Sequence, residues 1–330
     1  MASFSKALLE DALDLSWSLW AELGVSGWER RHSAYAIDPE PLVLFTASLG
    51  DADPRLRDES TDWCVRYGRY LSAARLRNIA TQFPPDVASA FGQLSATVNA
   101  NSTLRWPNAT EPRRYRATGR SRIEDFRSPS LIALRLRAML GVSARAEIVR
   151  AFLANPSACR SASELAPEVG YTKRNVAEAL DGLRLAGVLE TIAFGNQLRF
   201  RLSAPETLAS AVGNLPDYFP RWVPIMRILR ALLDYAGTAQ AQRPAVRGVE
   251  AHGLIRALRP DLDLIGVSPP TDRPVGDDFA PVLEDWVREV TTGWAAGDPR
   301  SLAGIRPSRP TGSVTTPLRR RRPTSPRVTD

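Results

Sequence analysis

The 330-residue sequence contains only two histidines and two cysteines, two residue types that are common in metal and catalytic sites. Neither of its two histidines, His32 and His252, has Cys, His or carboxylate neighbours at metal-ligand spacing. Its two cysteines, Cys64 and Cys159, lie far apart, so we expect no disulfide framework and no zinc site. A Gly-rich phosphate loop and a GxSxG nucleophile motif are also missing. We therefore expect no enzyme, no cofactor and no metal, and a reducing cytoplasm is the expected location.

Long apolar runs are missing as well. No run of about 18 apolar residues occurs, so we expect no membrane-spanning helix. The N-terminal stretch "MASFSKALLEDALDLSW" carries acids inside its apolar pattern, which predicts an amphipathic helix rather than a secretion signal. Lysine is scarce, since Lys6 and Lys173 are the only two among 43 cationic residues. Such an arginine bias is typical of a GC-rich genome and does not by itself indicate phosphate binding.

The charge is distributed unevenly along the chain. Its net value by segment is −4 over 1–104, +6 over 105–140, +2 over 141–204, −3 over 205–296 and +6 over 297–330. Two acidic regions thus flank a basic middle, and a basic tail follows. This asymmetry is typical of a nucleic-acid-binding protein.

The periodicity of apolar residues predicts a mainly α fold. The predicted regions are a helical domain over 1–98, a basic linker or loop over 99–128, a central module over 129–204, a C-terminal helical region over 205–296 and a disordered Arg/Pro-rich tail over 297–330.

Clustered acids near the N-terminus raise the alternative of a metal-assisted or acid–base site. Asp38 and Asp53 each precede a proline, as helix N-caps do. Glu59 and Asp62 fit a solvated helix face. We favour these structural roles over a catalytic one.

The central module has the signals of three short helices. Ser143 is a candidate N-cap for the first helix, and Ser161 with Glu164 has the spacing of a capping box for the second. Gly170 is placed to end the second helix, and Thr172 to cap the third. The third helix has apolar residues at helical spacing on one face: Val176, Ala179, Leu180 and Leu183.

A hairpin follows the third helix. Two strand-like runs, "VLETIAF" and "QLRFRLS", flank the turn signal Gly195-Asn196. In the second run the apolar residues Leu198, Phe200 and Leu202 alternate with Arg199 and Arg201. We expect the apolar side to be buried and both arginines to face solvent.

The order of these elements is that of a winged helix-turn-helix with a two-stranded wing. Residues 143–203 resemble the winged-helix domains of bacterial regulators of the MarR and ArsR type. The motifs that carry the resemblance are "ARAEIVRAFLANP", "SASELAPEVGYTKRNVAEALDGLRLAGVLE" and "FGNQLRFRLS". The resemblance covers about a fifth of the chain and implies a transcriptional regulator that binds double-stranded DNA.

The resemblance implies a recognition helix over 172–186 and a wing over 188–203. On the exposed face of that helix, Arg174 is suited to guanine, Asn175 to adenine and Lys173 to phosphate. The other residues predicted to contact or border the DNA are Ser161, Thr172, Glu178, Gln197, Arg199 and Arg201.

Two carboxylates on the presented face, Glu178 and Asp181, would repel phosphate, and Arg184 is spaced to pair with Asp181. An antitoxin-like or adaptor protein that uses the winged helix to hold a protein partner is therefore the alternative. We further expect a homodimer, because two half-sites raise affinity. The helical regions would hold an effector or a protein partner.

Overall fold

The computed structural model of the chain describes residues 3–195, 197–239, 241–270 and 279–302. Within these residues it is mainly helical, as predicted, and it contains one two-stranded antiparallel sheet. Most of the predicted tail, and Asn196 of the predicted hairpin turn, lie outside the described residues.

Aspartate, serine and proline residues mark the helix starts in the first hundred residues. The five helices are α1 (Phe4–Glu22), α2 (Pro39–Leu49), α3 (Pro54–Tyr67), α4 (Ala73–Ala80) and α5 (Pro85–Ala100). The cap predicted at α3 is confirmed, because the Asp53 carboxylate accepts hydrogen bonds from the backbone N–H groups of Arg55 and Leu56.

Three helices from the end of the chain pack against these five. They are α11 (Trp222–Ala239), α12 (Pro244–Ile265) and α13 (Phe279–Ala296). α13 lies along α1, α11 packs on α2, and all eight helices share one hydrophobic core that contains Trp20, Trp63, Trp222 and Trp294. The first hundred residues and the helices from Trp222 onward therefore form a single helical body, although the sequence had separated 1–98 from 205–296.

The predicted tail begins too early. Tyr35 donates a hydrogen bond from its hydroxyl to the Gly297 carbonyl, and the Trp294 indole donates to the carbonyl of Ser301. Leu302 is buried in the core of the helical body. Residues 297–302 are thus part of the fold, because apolar Leu302 gives an otherwise polar stretch an anchor.

Residues 101–128, here called the strap, contain no helix or strand but do not form a free linker. The strap crosses the helical body from α5 to α3 and is fixed by buried contacts. Trp106 is buried and stacks on Phe91, and Arg122 donates its backbone N–H to the Gly24 carbonyl. The predicted linker is therefore a fixed part of the surface.

The acids of α3 hold the strap. Asp62 accepts hydrogen bonds from the Tyr115 hydroxyl (2.7 Å) and the Thr118 backbone N–H (3.0 Å), and Glu59 accepts one from the Thr118 hydroxyl (3.0 Å). Both carboxylates are buried. The prediction that Glu59 and Asp62 form a solvated helix face is wrong, because the strap covers them.

The central module forms a second core. Its helices are α6 (Ile132–Leu140), α7 (Ala144–Ala154), α8 (Ala162–Val169), α9 (Lys173–Leu185) and α10 (Pro205–Val212), and its strands are β1 (Leu189–Phe194) and β2 (Gln197–Leu202). Phe152, Leu165, Val176, Leu180 and Phe200 meet in this core. α10 was not predicted, and it joins the central module rather than the C-terminal helices.

Six buried charged side chains join the helical body to the central module. This ion cluster consists of Asp38 and Glu40 at the start of α2, Arg75 on α4, Arg137 on α6, and Glu147 and Arg150 on α7. The Arg75 guanidinium binds Asp38 (2.6 Å) and Glu40, and Arg137 bridges Glu40 and Glu147 at 2.8 Å each. The cluster contains three cations and three carboxylates.

Two predictions change at the ion cluster. Asp38 stands at the N-cap position of α2, but its side chain makes no capping hydrogen bond and binds Arg75 instead. Burial alone would favour the neutral acid at Glu147, yet Arg137 and Arg75 lower the pKa of Glu147 to about 2. The carboxylates of the cluster are thus the buried partners of Arg75, Arg137 and Arg150.

We predict that Arg75→Leu destabilises the protein strongly. Removing the guanidinium leaves Asp38 and Glu40 buried without their shared partner, which costs about 3–5 kcal/mol. Arg77→Leu is the matched control, because Arg77 lies on the same helix, is exposed and forms no ion pair with a described carboxylate. Chemical denaturation measures both changes; an equal, small effect of the two substitutions would contradict the role of the cluster.

His32 links the two ends of the helical body and gives a pH dependence. Its ring nitrogens lie 2.7 Å from the Ser18 hydroxyl of α1 and 2.9 Å from the Trp294 carbonyl of α13. Burial lowers the pKa of His32 from its ordinary value of 6.5 to about 4. In the unfolded chain the ring therefore takes up a proton at a higher pH than in the fold.

We predict that this histidine makes the fold less stable as the pH falls from about 6.5 towards 4. Its contribution to the free energy of unfolding should drop by about 2 kcal/mol between pH 7 and pH 5. The measurement is denaturation of the wild type and His32→Gln at both pH values, in which the stability gap should narrow at pH 5. A constant gap would refute the assignment.

Candidate nucleic-acid interface

Local capping sets the direction of α8 and α9. The Ser161–Glu164 capping box is confirmed, with the Glu164 carboxylate 2.7 Å from the Ser161 backbone N–H. Gly170 ends α8 in the left-handed conformation (φ 72°), and the Thr172 hydroxyl accepts a hydrogen bond from the Asn175 N–H at the start of α9. The three-residue turn between the helices follows from these residues.

α9 separates apolar from polar side chains, as predicted. Val176, Ala179, Leu180 and Leu183 are buried in the core of the central module. The outward residues are Thr172, Lys173, Arg174, Asn175 and Glu178, and all five are exposed. Five of the nine predicted site residues therefore share one open face.

The charges on this face are largely paired within the helix. Arg174 donates to the Glu178 carboxylate at 3.0 Å, and Arg184 binds Asp181 at 2.8 Å, as its spacing predicted. Lys173 forms no ion pair with a described carboxylate. Exposed pairs of this kind contribute only about 0–1 kcal/mol. A phosphate or a base edge can therefore compete for Arg174 at little cost.

The hairpin packs beside α9. β1 and β2 pair antiparallel with Thr191 opposite Phe200, and Phe200 also exchanges two backbone hydrogen bonds with Arg160, which precedes α8. Phe200 and Leu202 are buried as predicted, whereas Leu198 is 53% exposed. Leu198 lies at the far end of the hairpin, where no helix of the module covers it.

The two arginines of β2 differ from each other, and only Arg199 departs from the prediction that both face solvent. Arg201 is exposed and pairs with Glu190 on β1. Arg199 is half-buried, because its guanidinium donates to the Glu164 carboxylate (2.8 Å) and the Cys159 carbonyl (3.1 Å). Arg199 therefore does not stand free on a solvent face. Gln197 is exposed near the hairpin turn.

Ser161 is the predicted site residue that is least accessible to DNA in the structure. It is buried, and its hydroxyl and backbone N–H are both engaged by Glu164. The hydrogen bond from Ser161 lowers the pKa of Glu164, which favours a negative charge at this helix start. A carboxylate thus occupies the place predicted for a phosphate, and the S-x-x-E spacing already contained that signal.

Side chains of the helical body form hydrogen bonds with the end of α8 and with the turn that precedes α9. Arg75 donates from Nε to the Val169 carbonyl (2.9 Å), and Asn78 donates to the Gly170 carbonyl (3.1 Å). The Tyr171 hydroxyl donates to the Ser72 hydroxyl at 2.8 Å. No sequence signal pointed to these contacts, because each joins positions more than ninety residues apart.

A groove of about 600 Å³ runs beside the outward face of α9. Its walls are the segment before α4, the start of α7 and the α9 residues Asn175 and Glu178. Arg145 lines the groove next to Gly182, is exposed, and forms no ion pair with a described carboxylate. The groove therefore extends the polar face of α9 towards the helical body.

A separate cleft of about 410 Å³ lies between the central module and the C-terminal helices. Apolar side chains including Phe219, Trp222 and Leu264 line it, together with the pairs Arg160–Glu168 (2.6 Å) and Arg227–Asp261 (3.3 Å). Its volume is in the range of small-molecule sites.

Comparison of the chain with protein-family models, curated proteins and solved structures gave no match. Among the described residues, no group of three or more His, Cys, Asp or Glu side chains is arranged to hold a metal ion. No helix in the described ranges has the length and apolarity needed to cross a membrane.

Proposed function

We propose that the chain is a DNA-binding transcriptional regulator in which α7, α8, α9 and the hairpin act as a winged helix-turn-helix. The recognition helix (172–186) enters the major groove, and the wing (188–203) lies against the flanking backbone. The observation that carries the proposal is the open face of α9, where Thr172, Lys173, Arg174 and Asn175 are exposed together at the start of a helix whose opposite side is fully buried.

The contacts on this face support distinct roles. Arg174 can exchange its exposed partner Glu178 for the O6 and N7 atoms of guanine, while Asn175 matches adenine and Lys173 suits phosphate. Of the residues predicted to contact DNA from the wing, Arg201 and Gln197 are exposed. Arg199 positions the wing on α8 through Glu164.

The cleft between the central module and the C-terminal helices is the part of the described chain that suits the expected effector. Glu168 of α8 lines this cleft. A ligand bound there would therefore contact the helix that precedes and positions the recognition helix. A homodimer on paired half-sites completes the proposal.

We predict that Arg174→Ala relaxes sequence preference at one base pair. The full-length wild type and the Arg174→Ala protein would each select duplexes from a random pool. For the substituted protein, the difference in binding free energy between the selected duplex and one with a single changed base pair should be about 1–3 kcal/mol smaller. Arg259→Ala is the matched control, because Arg259 forms the same i,i+4 pair with Asp263 on the exposed side of α12. Identical selections by all three proteins would refute the reading role of α9.

We predict that Glu178→Gln tightens DNA binding severalfold. The substitution removes a carboxylate from the presented face and releases Arg174 from its ion pair. Asp263→Asn, which frees Arg259 in the same way on α12, should leave the affinity unchanged. Fluorescence anisotropy with the selected duplex measures both, and weaker binding by Glu178→Gln would count against a DNA-facing α9.

An antitoxin-like or adaptor role is the second candidate. The pairing of Arg174, Arg184 and Arg201 with neighbouring carboxylates favours it, because a balanced surface suits a protein partner better than a polyanion. To test it, the full-length protein is isolated under native conditions and examined for a bound protein. Retention of DNA is then measured for the chain that ends at Leu302. A stoichiometric partner with no DNA retention would replace the regulator proposal.

A further inference from the structure

The helical body carries arginines that, unlike those of α9 and the wing, have no acidic partner. Arg66 in the last turn of α3, Arg69 in the short 3-10 helix that follows it, and Arg122 of the strap are exposed. Among the described residues no carboxylate forms an ion pair with any of them. We call these three residues the basic edge.

Tyrosine rings and backbone contacts hold the basic edge together. The Arg66 guanidinium lies 5.4 Å from the centroid of the Tyr67 ring and donates to the Ser121 carbonyl, next to Arg122. Arg69 lies 5.0 Å from the ring centroid of Tyr70. The contact with Ser121 brings Arg122 close to Arg66, although Arg122 is more than fifty positions from Arg66 and Arg69 in sequence.

The strap is fixed on both sides of Arg122. The Arg122 backbone N–H donates to the Gly24 carbonyl (2.8 Å), and the next N–H, that of Ile123, donates to the Tyr67 hydroxyl (3.1 Å). The Tyr70 ring packs edge-on against Phe126. The basic edge is thus preorganised, so a partner does not have to order it on binding.

The chain leads directly from the basic edge to the groove beside α9. Leu71, which follows Tyr70, lines the groove together with Asn175 and Glu178 of α9. Ser72 is bonded to Tyr171 in the turn before α9, and it is only two residues, at most about 7 Å of backbone, from Tyr70. Arg145, which forms no ion pair with a described carboxylate, lines the same groove next to Gly182 of α9.

Acidic groups near the basic edge do not cancel it. Glu124 and Asp125 are exposed in the neighbouring part of the strap, and Asp125 is already bound to Arg127 at 2.6 Å. Glu59 is buried under the strap and lies within reach of Arg120. Of these three acids only Glu124 has no other arginine beside it, so the three arginines of the edge keep a net positive charge.

We propose that the basic edge binds the phosphate backbone of duplex DNA beyond the segment contacted by α9 and the wing. Guanidinium groups with no carboxylate partner suit a row of phosphates, and contacts to phosphate carry no sequence information. The edge therefore lengthens the DNA footprint and raises affinity without changing the preferred sequence. This inference rests on the proposed function, because it takes the groove beside α9 as the path of the DNA.

The test uses the full-length protein and two duplexes centred on the selected sequence, one of about 12 base pairs and one of about 30, roughly one and three helical turns. The triple variant Arg66→Gln, Arg69→Gln, Arg122→Gln is compared with a control of equal charge change, Arg243→Gln, Arg256→Gln, Arg300→Gln, whose exposed arginines lie on the C-terminal side of the fold. Thermal unfolding checks that both variants fold.

We expect the edge variant to bind the long duplex about tenfold or more weakly than the wild type and the short duplex equally well. The slope of log affinity against log salt on the long duplex should shrink by about 2–3. Equal losses for the edge and control variants, or an equal loss on both duplexes, would overturn the inference.

The outcome separates this inference from the proposed function. Normal sequence selection with no effect of the edge variant overturns the inference and leaves α9 as the reader. Edge-dependent binding of the long duplex with no effect of Arg174→Ala supports the inference and removes the sequence-reading role of α9. A wild type that retains no duplex contradicts both.

Discussion

The ion cluster between the helical body and the central module is the constraint on which the arrangement of the molecule depends. Its charges are buried, so each one is stable only while the others remain in place. Arg75 has a double role, because the same guanidinium that binds Asp38 and Glu40 also donates to the carbonyl of Val169 in the turn before α9. The position of α9 is therefore fixed by groups that belong to the first eighty residues.

This coupling has a consequence for function. A winged helix on a loose linker would present only its own helix and wing, whereas here the outward face of α9 continues into a groove walled by the helical body. In the proposed function, the basic edge, the groove and α9 would form one binding surface. The cleft on the far side of α8, which shares Asp38 and Arg150 with the ion cluster, is where a ligand could alter that surface.

Local features of the fold could be predicted from sequence, and long-range ones could not. The capping box at Ser161, the left-handed Gly170 and the apolar face of α9 each depend on residues within one or two helical turns, so the pattern contained them. The burial of Glu59 and the pairing of Arg199 with Glu164 depend on segments far away in sequence. A signal for the ion cluster did exist, since "ARAEIVRAFLA" places Glu147 and Arg150 in a helix whose other residues, apart from Arg145, are apolar.

The central claim is that α9 lies in the major groove of duplex DNA, and methylation interference tests it most directly. The N7 atom of guanine is exposed in the major groove, where Arg174 would bind it. Full-length protein would be mixed with a retained duplex methylated at random guanines, and bound and free fractions would be compared. The account predicts that methylation of one or a few guanines within a single turn prevents binding. Binding that is indifferent to methylation at every guanine would contradict it.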